Sequence, residues 1–466
     1  MRRLWKILFG SVFFVLFLLL GLDSLRDDVP PVKDASQYVT AAWNLHHRGT
    51  LSLTEEDPGK TVRPSAYREP LYPAFLALGM KLSPGIRDAP QALLMQGSFQ
   101  ADMRPLKHMQ IGLILITALC AMGIVRDVTR SPLLAWIALF VVGLDHTLVS
   151  LVDSFLSETL IAALLVAFAW CCVRVARRPS RINCGMAGFL LALMALTRAA
   201  FFYFWIPAAL LAGLAAWKRP ARRREIILSG AVFLACFFVP TGAWMTRNLV
   251  HFGRAFIAER GGVILAMRAG MDGMTGREYL ASFLHWSNSR YLNQTLLEKL
   301  FDEEATVRLD PDAPTGFVQL ARARRRELQE ELGDGALADR AQLAEAERAI
   351  LAQPIRHLLV TVPILHRGLY VKPRASHCLL LWFFFAAALT LGVRSRDMAV
   401  IGALSPALLS LMFHATLTHN IPRYNVYLIP FLWIAALACA GLALQVRPDR
   451  TQAGAEAGRL PGTLTH

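Results

Sequence analysis

The chain has 466 residues, of which 55% are hydrophobic and only 18% charged, against about a quarter charged in an ordinary soluble domain. The apolar residues are gathered into long runs, which excludes a soluble globular protein. The net charge of +15 would suit a nucleic-acid partner, but its placement along the chain excludes one, as shown below.

Uncharged or nearly uncharged runs lie at 7–22, 109–125, 132–152, 155–173, 184–197, 199–217, 226–246, 378–393, 398–418 and 424–446. Most approach the roughly 20 residues needed to cross a hydrocarbon core about 30 Å thick. The expected fold is therefore all-α, a polytopic membrane bundle of about ten transmembrane helices. The first run follows a basic start, Met-Arg-Arg-Leu-Trp-Lys, as a signal peptide does. The Leu-Gly-Leu-Asp-Ser-Leu-Arg that comes next offers no small-x-small cleavage site, so a retained first helix is predicted.

The basic residues alternate with the runs. Arg126 and Arg130 lie on one side, as do Arg174, Arg177, Arg178 and Arg181, then Lys218, Arg219, Arg222, Arg223 and Arg224, then Arg394 and Arg396. The short connections on the other side hold only Arg198 and Arg423. By the positive-inside rule both termini are cytoplasmic in a bacterial inner membrane, with the opposite face periplasmic. The basic pI describes orientation.

Two long outside segments interrupt the runs, at 23–106 and 247–377. In the first, residues 34–47 place Tyr38, Ala41, Ala42 and Leu45 at helical spacing behind Asp34, an acceptable N-cap. A polar loop follows, and then 71–82, too short to span and suited to the interface. In the second, 317–352 reads as one or two surface helices broken at Gly333 and Gly335. Residues 354–370 are amphipathic and lie against the membrane or re-enter it. The chain thus divides into a transmembrane catalytic module with its first periplasmic loop (1–250), a periplasmic helical insertion (251–377), and C-terminal transmembrane helices with a short cytoplasmic tail (378–466). No internal repeat is present.

Four features could carry chemistry. Asp34, a dozen residues beyond the first helix, suits a general base at the rim of a bundle, or simply caps a helix. Arg68 stands in the Pro-bounded turn Arg-Glu-Pro-Leu-Tyr-Pro beside Tyr72, where a fixed guanidinium fits a phosphate or carboxylate, or is a solvated loop residue. Ser150, Asp153, Ser154, Ser157 and Glu158 recur at three- and four-residue spacing, a polar stripe if the segment is one helix. Glu158 then lies about a turn inside the membrane, where an ionisable group is costly and functional, or a hydrogen-bond partner for packing. Arg198, Arg247 (before Asn248) and Arg423 (before Tyr424) sit at the outer edge, where they converge on a phosphate or anchor to headgroups. The seven cysteines form no CxxC pattern and the histidines no ligand spacing, so no metal, disulfide framework or cofactor is expected.

The order of these features resembles a known pattern. An outside Asp in Asp-Ala-Ser-Gln-Tyr is followed by the Arg-Glu-Pro-Leu-Tyr-Pro turn, Leu-Ser-Glu-Thr-Leu at an early helix, Leu-Thr-Arg, Trp-Met-Thr-Arg-Asn and a late Arg-Tyr. The chain is similar to the C-type integral-membrane glycosyltransferases of the protein O-mannosyltransferase and lipid A aminoarabinose transferase superfamily, over about residues 7–250 and the last helix. The resemblance implies a sugar donor on a polyprenyl monophosphate and a lipid, glycan or protein acceptor on the periplasmic side. It makes Asp34 the catalytic carboxylate, with Glu158 in support. It puts Arg68 beside the donor phosphate, joined by Arg198, Arg247 and Arg423. Tyr38, Tyr72, Asp153, Asn248 and Tyr424 are then candidate sugar or acceptor contacts. The turn departs from the Lys-Pro-Pro of the aminoarabinose transferases, which argues against that sugar.

Three other functions compete. A secondary transporter would show inverted repeats and midplane ionisable groups. An oligosaccharide polymerase or ligase would use a diphosphate-linked donor on a similar scaffold. A non-catalytic scaffold would make the acid and arginine placement accidental.

Overall fold

The computed structural model describes residues 2–445 except 27, 58 and 60. The C-terminal tail beyond 445 and several basic side chains of the first six residues, on which part of the orientation expectation rests, lie outside the described residues. Every regular element among the described residues is helical. The principal helices are α1 (Arg2–Asp23), α2 (Asp34–Arg48), α3 (Leu71–Leu82), α4 (Arg104–Thr129), α5 (Pro132–Gly143), α6 (Glu158–Arg177), α7 (Arg181–Thr197), α8 (Trp205–Lys218) and α9 (Arg223–Phe252). They continue as α10 (Gly261–Gly270), α11 (Gly276–His285), α12 (Phe317–Leu332), α13 (Gly335–Ala352), α14 (Pro354–Gly368), α15 (Ala375–Ser395), α16 (Met398–Leu417) and α17 (Ile429–Gln445).

Seven helices are long and apolar enough to cross a membrane, or nine if two bent pairs each count as one span. Ile7–Asp23 and Arg181–Thr197 are shorter apolar helices. All ten predicted runs are mainly helical over their described residues, and the chain is an all-α, multi-pass membrane bundle. Helices α4 and α6 and the last span form its centre, about 61% of each being buried, while Pro220–Phe252 is only 11% buried and turns most of its surface outward.

The helices explain why the candidate residues share one end. α6 starts at Glu158 and ends among Arg174 and Arg177; α7 starts at Arg181 and ends before Arg198. Antiparallel neighbours therefore put the acid and the outer arginine at one end and the basic clusters at the other.

Two local expectations change. The stretch 150–158 is not one helix. Ser150–Asp153 is a 3₁₀ turn, Phe155 takes a left-handed φ of 45°, and Glu158 opens α6, so it sits at the helix start and not a turn inside. The break at 333–335 is present: Gly333 has φ 66°, and Asp334 caps α13 by accepting from Ala336 and Leu337 N–H.

The 251–377 segment carries its own apolar cluster, with Met271, Trp286, Phe317 and Ile364 at its heart. A buried polar network ties it to the bundle. Arg268, with no exposed surface, donates to Ala415 O (3.0 Å), Asp272 Oδ1 (2.6 Å), His357 O (2.8 Å) and Thr361 Oγ1 (2.9 Å). His357 links Asp272 Oδ2 (2.7 Å) to Thr416 O (2.9 Å). Burying a guanidinium is tolerable only when its donors are met this completely.

Candidate active site

Asp34 is the first residue of α2, and the N-cap position belongs to Lys33, whose side chain makes no capping bond. Lys33 holds φ 54° and ψ −118°, a sparsely populated conformation that sets the direction in which Asp34 leaves the helix. The simple capping role is therefore absent, and the carboxylate turns inward. Its Oδ1 accepts from Arg68 Nη2 at 2.5 Å and its Oδ2 from Arg423 Nη2 at 2.6 Å.

Arg68 reaches this point from the Pro-bounded turn. It is only 3% exposed, not a solvated loop residue. Its Nε donates to Gln37 Oε1 at 2.8 Å, one turn along from Asp34, and its guanidinium lies 4.7 Å from the centre of the Tyr38 ring. Tyr38 packs edge-on against Tyr72 with centroids 5.0 Å apart. The Tyr72 hydroxyl donates to Gln110 Oε1 at 3.0 Å, which also accepts from Thr159 Oγ1 at 2.7 Å. Two rings packed edge to face and a buried amide fix the arginine.

Arg423 is delivered by the 420–425 turn that leads from α16 into the last span. Asn420 donates to Ile364 O at 2.9 Å and Asn425 to Gly368 O at 3.2 Å. Gly368 is required there, since a Cβ would stand 2.2 Å from the Asn420 amide nitrogen. From that anchor Arg423 Nε lies 3.6 Å from Glu158 Oε1. The same oxygen pairs with Arg198 Nη2 at 2.8 Å. Arg198 also stands over the Tyr427 ring at 5.1 Å, and its Nε donates weakly to Ser157 Oγ at 3.4 Å. Glu158 occupies the first turn of α6, where the helix dipole favours a carboxylate. The result is one chain of charges, Arg68–Asp34–Arg423–Glu158–Arg198, drawn from five separate parts of the sequence.

The chain is polar but not saturated. Glu158 Oε2, Arg423 Nε and Arg260 Nε are buried without hydrogen-bond partners. Arg260, which the sequence did not single out, has Nη2 3.7 Å from Asp34 Oδ1 and lies over Tyr67 at 5.2 Å. Burial alone would raise the Asp34 pKa, but Arg68 and Arg260, with the bonds from Arg68 and Arg423, outweigh it and hold the carboxyl well below the usual range. Nearby, burial and the charges of Arg367, Arg322, Arg260 and Arg423 push the His419 imidazole down to about 3.

Other predicted residues lie elsewhere or are already committed. Arg247 donates to Ser65 O (3.2 Å) and Asn248 Oδ1 (2.9 Å) and stacks on Trp244 at 4.7 Å. It braces the turn that carries Arg68 and makes no contact with the ion-pair chain among the described residues. Asn248 is fully buried and donates to Phe256 O at 2.8 Å. Asp153 pairs with the buried Lys107 at 2.5 Å. Tyr424 lies between His414 and His419, with ring centroids 5.9 and 5.4 Å away. Lys107 also went unremarked, although a lysine entering an apolar run is the kind of group that demands a partner. Gln37 and Glu69 carried no sequence signal.

Two openings flank the chain of charges. One is an apolar groove of about 360 Å³ lined by Pro70, Leu71, Leu196, Pro240 and Trp244. The other is a cavity of about 500 Å³ bordered by Lys33, Ala35 and Arg423 on one wall and by residues near the end of α1 on the other. No group of three or more His, Cys, Asp or Glu among the described residues is arranged to hold a metal ion.

No protein-family profile matches the chain, and no curated protein matches it. Among solved structures it is similar to the archaeal oligosaccharyltransferase AglB from Archaeoglobus fulgidus in complex with an inhibitory peptide and a dolichol-phosphate. That likeness has 12% identity, covers 98% of this chain and 53% of that one, and gives a TM-score of 0.49. The Archaeoglobus fulgidus oligosaccharyltransferase in complex with Zn and sulfate aligns at 13% identity over 97% of this chain and 54% of that one, with a TM-score of 0.47. The chain thus spans about half the length of these proteins. Likeness this distant has no bearing on activity, which rests on the site itself.

Proposed function

We propose that the chain is an inverting glycosyltransferase that moves a sugar from a polyprenyl-monophosphate donor to an acceptor on the periplasmic side of a bacterial inner membrane. The observation that carries this is the unsaturated chain of ion pairs centred on Asp34, at the end of the bundle opposite the basic clusters. Four guanidinium groups, Arg68, Arg198, Arg260 and Arg423, face two carboxylates, Asp34 and Glu158. The surplus is positive, and a polyprenyl phosphosugar is a phosphodiester with a negative charge.

With no substrate, Asp34 is a poor base, because three guanidinium groups, Arg68, Arg260 and Arg423, stabilise its anion. A donor phosphate competes for Arg68 and Arg423. Sharing them with a second anion loosens their hold on Asp34 and raises its basicity only when the donor is in place. The acceptor hydroxyl then gives its proton to the Asp34 carboxylate as its oxygen bonds to the anomeric carbon. The bond from that carbon to the phosphate oxygen breaks on the opposite face, and the phosphate leaves with the electron pair. Preorganised arginines stabilise the charge gathering on it. Glu158 holds Arg198 and Arg423 at the distance that makes this possible. The apolar groove suits the prenyl chain, since its lining residues Pro70 and Leu196 stand two residues along the chain from Arg68 and Arg198.

The test is a transfer assay with the purified full chain in lipid. It should release polyprenyl phosphate from a polyprenyl-monophosphate sugar, ignore the nucleotide sugar, and continue in the presence of a chelator. Use of a diphosphate-linked donor with complete loss on chelation would overturn the proposal.

A further inference from the structure

Arg68 and Arg198 reach the site from different parts of the bundle, one from the turn before α3 and the other from the end of α7, and something must set the spacing between them. Arg198 has extended backbone, φ −146° and ψ 116°, and the residues after it form a 3₁₀ helix, Ala199–Phe204, that runs into α8. The first N–H groups of a helix have no partner within it, and the residue at the N-cap usually supplies an acceptor. Arg198 holds that position but cannot do so. A guanidinium only donates, and this one is paired with Glu158 at 2.8 Å. The acceptor comes instead from Glu69, directly after Arg68, whose Oε1 accepts from Ala199 N–H at 3.0 Å across 130 residues of sequence.

The turn that carries Glu69 is anchored by other bonds. Ser65 O accepts from Arg247 Nη1 at 3.2 Å, Ala66 O from Glu259 N–H at 2.9 Å, and Ser65 N–H donates to Leu51 O at 2.8 Å. None of these involves the Glu69 side chain, so the turn has support without it. What that side chain adds is a tie to the chain segment that presents Arg198. The tie also joins two sides of the apolar groove, since Pro70 follows Glu69, Leu196 lies shortly before Ala199, and both line the groove.

We propose that Glu69 is a positioning residue for donor binding, and that its hydrogen bond to Ala199 N–H fixes the separation of Arg68 and Arg198. This rests on the transferase function proposed above and adds to it a residue that touches neither substrate. The bond does two things at once. It satisfies a helix start that Arg198 cannot cap, and it frees the Arg198 side chain to stay with Glu158. Without it the 199–204 segment is held to the Arg68 turn only by packing, and the phosphate meets two arginines whose spacing varies.

The test uses the full chain in detergent, with polyprenyl phosphate as the probe and tryptophan fluorescence as the readout, since Trp244 lines the groove. Glu69→Ala removes the acceptor of the bond, and Ala199→Pro removes its donor. Proline suits the first position of a helix, and the extended backbone of Arg198 is the conformation that a following proline favours. Each variant, and the two combined, should weaken polyprenyl-phosphate binding by the same factor, about three- to tenfold, the order of losing one helix cap. Glu69→Gln keeps an acceptor oxygen and should restore binding to within about twofold of wild type. A residue that merely held the fold together would lower the unfolding temperature and the active fraction, and leave the affinity of the surviving molecules alone. Unchanged affinity in Glu69→Ala would overturn the inference, and so would losses that add in the double variant. A glutamine variant as weak as the alanine one would also overturn it, by making the charge responsible and not the bond. These outcomes leave the transferase proposal standing, whereas a wild-type chain that binds no polyprenyl phosphate would overturn that proposal and this inference with it.

Discussion

Two arginine–aspartate pairs in this molecule look alike at the level of distance and differ in everything around them. Arg268 and Asp272 stand 2.6 Å apart, as Arg423 and Asp34 do. Around Arg268 the donors go to two carbonyls, a hydroxyl and a carboxylate, and His357 completes the ring. Around Asp34 the carboxylate is shared by competing guanidinium groups, buried nitrogens and an oxygen are left over, and a cavity lies alongside. A satisfied buried ion pair joins pieces of a fold. An unsatisfied one beside open volume is held for something that is not yet there.

The largest stability effect should come from the satisfied network. Arg268→Met takes the guanidinium away from Asp272 Oδ1, and removing one member of a buried pair costs about 3–5 kcal/mol. Thermal unfolding in detergent should fall steeply. In Arg423→Ala, where the side chain is 40% exposed, unfolding should barely move, and a comparable loss in both variants would erase the contrast drawn here.

Donor affinity should show the reverse. Arg423→Ala should weaken polyprenyl-phosphate binding by about 1.5–3 kcal/mol, roughly ten- to a hundredfold. Lysine should restore only part, because a point charge lacks the bidentate fork. Unchanged affinity in the alanine variant would return Arg423 to a headgroup anchor.

The smallest effect is a pH dependence. Burial and neighbouring arginines lower the pKa values of His419 and His285 in the folded chain. Groups with depressed folded pKa contribute stability above their unfolded value of about 6.5, and lose it as the pH falls through it. For His419 the loss continues toward about 3. Unfolding temperature should therefore drop on going from pH 7 to 5, at most about 1.4 kcal/mol per pH unit per histidine, and His419→Gln should flatten the slope. Asp34, held well below the ordinary carboxylate range, should add no change of its own over that interval.

The fold was legible because membrane spans are written in composition: each of the ten apolar runs became helix, and only the kinks at Asp145 and Phe155 escaped. The site was legible in part. Asp34, Arg68, Glu158, Arg198 and Arg423 were each conspicuous as charges at a membrane edge, and the structure joins them across 389 residues of separation. Arg247 was conspicuous on the same grounds, with Asn248 beside it, yet their bonds go to each other and to backbone carbonyls that only the folded chain supplies. Arg260 was hidden for the opposite reason, since one more arginine in a charged segment carries no contrast. The helical stripe at 150–158 failed because a 3₁₀ turn and a left-handed Phe155 interrupt the period on which such a stripe depends.

The central claim is that Asp34 does chemistry, and Asp34→Asn tests it most directly when turnover, donor affinity and unfolding are measured on one preparation. Asparagine keeps the shape and an acceptor oxygen for Arg68 but cannot take a proton. Turnover should fall by about 10²–10⁴-fold, the usual contribution of a general base. Donor affinity should be retained, and the variant should stay folded with an unfolding temperature lowered by the loss of a partly buried ion pair. Wild-type turnover in Asp34→Asn, with fold and donor binding intact, would contradict the account.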